Sequence, residues 1–159
     1  MTKTHPIRPA DDDARALARQ LMTGAKTAAL AVLTPEARTP FVTRIAMATA
    51  PGGALLTLVS SLSAHTTALR ADPACALLLG EPGEKGDPLT HPRLTIEAIA
   101  RPLEKSGALV SLWLAHHPKA KLYADFADFR FFHFAPTAAH LNGGFGKAYR
   151  LSPDDLAAP

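Results

Sequence analysis

Apolar and polar positions alternate from Phe41 to Thr49, with Phe41, Thr43, Ile45 and Met47 on one side and Val42, Arg44, Ala46 and Ala48 on the other. A period of two is that of a strand with unlike faces. Ala28 to Leu33, Ala54 to Ser60 and Ala74 to Leu79 are short apolar runs bounded by turn residues and read as further strands. Pro51-Gly52-Gly53 predicts a turn that pairs the Phe41 and Ala54 strands as an antiparallel hairpin, with Arg44 on the strand beside Ser60. Arg93 to Arg101 alternates again, with Arg93, Thr95 and Glu97 opposite Leu94, Ile96 and Ala98.

Helical signals stand between these runs. Asp11 to Gly24 opens with acids, carries Leu17 and Leu21 four apart and ends on glycine. Ser61 to Arg70 begins with hydroxyl residues suited to capping and stops before Asp72-Pro73. Ser106 to His116 places Leu109, Leu112, Trp113 and His116 at the spacing of one buried face. Phe129 to Phe134 is an aromatic-rich strand, and Thr137 to Leu151 a last hairpin around Asn142-Gly143-Gly144. Gly80 to Pro92, rich in glycine and proline, is a loop long enough to lie over a site. Hairpins dominate and no regular βαβ alternation occurs, so the expected class is α+β with an antiparallel barrel-like sheet.

Composition narrows the partners. At 159 residues the chain fits one domain, 1–159, with 1–10 expected to be flexible. The single cysteine, Cys75, lies in an apolar run and suits core packing in a reducing compartment. No apolar run has the length of a membrane helix, so a soluble cytoplasmic protein is expected. The formal charge is only +3 and the basic residues are scattered, which points to a small anionic ligand and away from nucleic acid.

The Ser60 to Thr66 segment joins a strand end to a helix start, where free amides, the positive end of the helix dipole and short hydroxyls suit an anion. Arg44 adds a guanidinium able to grip two phosphate oxygens, and His65 and Thr66 one further hydrogen bond each. The same residues permit a plainer reading, in which Ser61 or Ser63 caps the helix and Arg44 pairs with an acid such as Glu97. His116-His117 lacks the one-face spacing of a paired metal site.

Several segments, in order, resemble the pyridoxamine-phosphate-oxidase-like FMN-binding split barrels and, within them, the haem-utilisation branch. They are Thr43-Arg44-Ile45-Ala46, Ser60 to Thr66, Gly86-Asp87-Pro88-Leu89 with Arg93-Leu94-Thr95, His117-Pro118 with Tyr123, Asp128-Phe129, and Gly143 to Ala148. The resemblance implies an antiparallel split β-barrel with flanking helices, a homodimer, and cofactor sites at its interface. It implies that Arg44 holds a flavin phosphate, that Ser60, Ser61 and Leu62 line the cofactor, and that Arg93 lies beside the ring system. His65 and Thr66 stand where the oxidases carry an Arg-Lys pair, which lowers the positive charge at the phosphate.

The reaction implied is that of an FMN-dependent oxidoreductase or flavin-binding protein; no acid or base is assigned, because the redox chemistry belongs to the cofactor. Pyridoxamine-phosphate oxidation itself is not expected, because Lys147 to Leu151 holds no histidine. The haem branch implies the alternative, haem bound through an axial histidine in the C-terminal segment. Here the last histidine is His140, and His116, His117 and His133 are the other conceivable ligands. A split barrel without cofactor, acting as an interaction module, is the third reading.

Overall fold

The computed structural model describes residues 7–158. Strand β1 (Ile7–Pro9) leads into helix α1 (Asp12–Gly24), whose first turn carries Asp12 and Asp13 and whose Asp11 side chain accepts from the Ala14 amide at 2.7 Å. Both features stabilise the positive helix start. The buried stripe is Ala14, Ala18 and Met22, while Leu17 and Leu21 flank it half-buried. Two alanines let the helix lie close on the sheet end, which the expected leucine pair would hold off.

Strand β2 (Thr27–Leu33) pairs antiparallel with β3 (Pro40–Ala46) along its whole length. Only the two-residue continuation β4 (Ala48–Thr49) pairs with β5 (Leu55–Ser60). The expected hairpin of the Phe41 and Ala54 strands is therefore confined to its tip, and Arg44 pairs with Ala29 of β2 instead of lying beside Ser60. The cause is a corner at Met47. This side chain is fully buried and its amide donates to the Lys26 carbonyl at 2.9 Å, which turns the chain from one pairing to the other.

Helix α2 (Ala64–Ala71), β6 (Ala74–Leu79), β7 (Arg93–Leu103), α3 (Gly107–His116), β8 (Phe129–Asn142), β9 (Ala148–Leu151) and α4 (Pro153–Leu156) complete the fold. The main order is β1-β9-β8-β7-β6-β2-β3, with β5 on the same edge of β8 as β9, against residues 129–134. The ring thus opens between β3 and β5, where the Thr57 hydroxyl donates across the gap to the Ala46 carbonyl at 2.7 Å. This is an α+β split barrel.

The aromatic strand and the first arm of the last hairpin are one strand, β8, continuous through Pro136, and β9 returns against residues 139–142. Of the segment 1–10 expected to be flexible, residues 7–9 form β1, parallel to β9, and residues 1–6 lie outside the described residues.

Every inward residue of β2, β6 and β7 is apolar, among them Leu30, Leu77, Leu94 and Ile96, and these fill the barrel. A second cluster around Trp113 and Phe131 fills the space between β5 and α3, which explains why β5 is buried on both faces. On α3 only Trp113 is buried, and His116, expected on the same stripe, is exposed. Cys75 packs against the main core and donates to the Ala98 carbonyl at 3.5 Å, and burial pushes its thiol up to about 12. That thiol is a packing group and no nucleophile.

Candidate functional site

Directly opposed residues of an antiparallel sheet share a face. The registers therefore set Arg44, Ala29, Leu78, Thr95, His140 and Arg150 in one row across β3, β2, β6, β7, β8 and β9. Their neighbours toward the core, Leu30, Leu77 and Ile96, are fully buried, so this row lies on the outside of the barrel. Val42, Ala31 and Ala76 form the next row on the same outer face. Val42 is 64% and Leu78 45% exposed, and around them the side chains are small and apolar.

Arg44 stands exposed at one end of this platform, with no hydrogen bond or ion pair among the described residues. It does not pair with Glu97. That carboxylate instead holds His140 Nε2 at 2.8 Å. Arg93, on the face of Thr95 and Glu97, donates to the Leu89 carbonyl at 2.9 Å and so ties β7 to the long loop.

The Ser60 turn is built separately. The Ser60 hydroxyl donates to Asp128 Oδ2 at 2.8 Å and accepts from the Leu62 amide at 3.2 Å, while the Ser61 amide donates to the Asp128 carbonyl at 2.6 Å. Thr66, fully buried, donates its hydroxyl to the Ser60 carbonyl at 2.7 Å. Leu62 projects into solvent, 85% exposed. Ser63 is the residue before α2 but makes no side-chain cap, so the plainer reading of a serine cap does not hold for it.

His65 in the first turn of α2 has Nε2 shut from solvent without a partner, and burial holds its pKa below the usual histidine value. The turn is thus hydrogen-bonded within itself, carries a carboxylate and holds a histidine that is neutral at pH 7. Among the described residues no bond joins it to Arg44 or Arg93. Asp128 is the member that residue reasoning missed, although Asp128-Phe129 was among the resembling segments.

The histidines sort by partner. His117 Nε2 bonds the Met47 carbonyl at 2.8 Å, and its ring lies 4.4 Å from that of Trp113, so it braces the barrel corner. His116 bonds back to Leu112 through Nδ1. His140 alone of the expected ligands is backed by a carboxylate, the arrangement that fixes the orientation and raises the basicity of metal-bound imidazoles. No cluster of three or more His, Cys, Asp and Glu side chains suited to a metal ion occurs among the described residues. No helix there is long and apolar enough to cross a membrane.

No family model matches the chain. It is 34% identical over 99 residues to the chloroplastic non-canonical heme oxygenase HOZ of Arabidopsis thaliana, a stretch that is 61% of this chain and 30% of that protein. One solved structure, 45% identical, superposes with a TM-score of 0.90 over 96% of this chain and 100% of its own. A heme binding protein from Mycobacterium smegmatis is 26% identical, with a TM-score of 0.82 over 94% of this chain and 61% of its own. The chain therefore spans under a third of the curated relative and about three-fifths of the heme binding protein. With the ring open between β3 and β5, Arg44 on the outer face and the Ser60 turn leading into α2, the chain has the fold of the pyridoxamine-phosphate-oxidase-like split barrels, and the named proteins it is similar to in sequence are a heme oxygenase and a heme binding protein.

Proposed function

We propose that this protein binds haem on the outer face of its barrel sheet, as a cytoplasmic haem-utilisation protein. The observation that carries the reading is the outer row itself. A flat apolar stretch, Ala29 and Leu78, is bounded by the uncompensated Arg44 at one end and the Glu97-backed His140 toward the other. A macrocycle needs an apolar platform, its carboxylates need a cation, and its iron accepts an imidazole. Arg44, Arg93 and Arg150 are cations of this face, and His140 is the imidazole. The bound group would supply the redox chemistry, while the residues hold and orient it.

The apolar outer face also supports a homodimer. Val42 and Leu78, with the alanines between them, leave an uncovered patch on a sheet surface, and a second copy of the chain is the occupant the family resemblance implies.

FMN is the second reading, favoured by the unpaired Arg44. Against it stands the Ser60 turn. A phosphate placed there meets the Asp128 carboxylate and a neutral His65, and both Ser60 and Thr66 hydroxyl protons are already donated. A flavin-dependent oxidoreductase other than pyridoxamine-phosphate oxidase rests on this weaker fit.

Titration of the purified protein with hemin tests the first reading. A saturable Soret band that shifts in His140→Ala supports it, and a band unchanged in that variant removes His140 as the ligand. Absence of saturation, with saturable FMN binding instead, favours the second reading.

A further inference from the structure

Arg70 of α2, Arg101 of β7 and Arg130 of β8 converge on one cleft of about 720 Å³ at the end of the barrel away from Arg93. The floor is apolar, with Leu69 and Leu103 drawn from the two core clusters and Ile99 between them. No acidic residue lines the cleft. Among the described residues none of the three guanidiniums has an ion-pair partner. Of the acids near them in sequence, Glu104 does not line the cleft and two others are held elsewhere. Asp72 accepts from Arg38 at 3.1 Å and from the Ala74 amide at 3.0 Å, and Asp128 takes the Ser60 hydroxyl.

Three positive charges around an apolar floor, with nothing to neutralise them, leave each guanidinium free for a carboxylate, sulfonate or phosphate oxygen. The volume lies within the range of small-molecule sites. We infer that this cleft is a binding site for a ring-bearing organic anion with two or more negative charges, its apolar body on Leu69 and Ile99 and its anionic groups on the arginines. No histidine lines the cleft, so the site offers no axial ligand and stands independently of the haem reading.

The probe is 8-hydroxypyrene-1,3,6-trisulfonate, flat, apolar in its ring and trianionic, followed by fluorescence anisotropy with the full chain. Saturable binding at one site per chain is expected, at least tenfold weaker in Arg101→Gln/Arg130→Gln and weakened by Arg70→Gln. The neutral 1-hydroxypyrene is expected to bind more weakly and equally to all variants. The three arginines are exposed, so far-UV circular dichroism of the variants should match the wild type; a single substitution replaces the double one if it does not. No saturation with the trisulfonate, equal affinity in the arginine variants, or equal binding of the neutral pyrene overturns the inference.

Discussion

The Ser60 hydroxyl donates to the Asp128 carboxylate across 2.8 Å, and so brings a negative charge to the turn where the sequence pattern alone suggested an anion site. Asp128→Asn keeps an oxygen acceptor for Ser60 while removing the charge. FMN affinity, followed by flavin fluorescence quenching, is expected to rise severalfold in this variant, since a like charge near a phosphate is repulsive. An unchanged affinity would mean that the carboxylate does not govern phosphate binding.

Thr66 is fully buried and its hydroxyl closes the turn onto the Ser60 carbonyl. Thr66→Val preserves the shape and deletes the bond, which leaves the partly buried Ser60 carbonyl with one partner fewer. A loss of about 1–2 kcal/mol in urea unfolding is expected.

Among the described residues Arg44 has no hydrogen-bond or ion-pair partner, so its truncation removes no polar contact found there. Arg44→Ala should leave the unfolding free energy within about 0.5 kcal/mol of the wild type. The same variant should bind hemin about tenfold more weakly, the ordinary worth of one charge-assisted contact. A large stability loss would show instead that Arg44 is a packing residue.

Burial lowers the pKa of His65 from 6.5. The unfolded chain then binds a proton more readily than the folded one as pH falls through the unfolded value. Stability is therefore lost below about pH 6.5 until the folded histidine also titrates. His65→Gln should flatten this limb, so that unfolding midpoints measured at pH 7 and pH 5 differ less in the variant than in the wild type.

Gly80 has φ +97°, and a Cβ there would stand 2.5 Å from the Pro92 carbonyl oxygen. That oxygen belongs to backbone at the start of β7 and cannot swing aside. Gly80→Ala should lower the melting temperature by well over the roughly 4 °C that 1 kcal/mol represents in a domain of this size.

Local signals carried much of the fold. Alternation along Phe41 to Ala46 and Arg93 to Arg101, the Asp11 and Ser106 caps and the loop from Gly80 to Pro92 are all present where a period of two, a cap or a glycine and proline cluster requires them. Such features depend on residues within one or two turns of each other, and the chain alone therefore determined them. Which strand β3 pairs with is a different matter, because either neighbour satisfies the same apolar alternation. Burial of Met47 and the corner it makes decided for β2, and thereby parted Arg44 from Ser60. The tertiary structure alone likewise set Asp128 on Ser60, gave Glu97 to His140 and gathered Arg70, Arg101 and Arg130 around one cleft. Each of these joins residues 29 or more positions apart through the folded sheet, where no local pattern reaches.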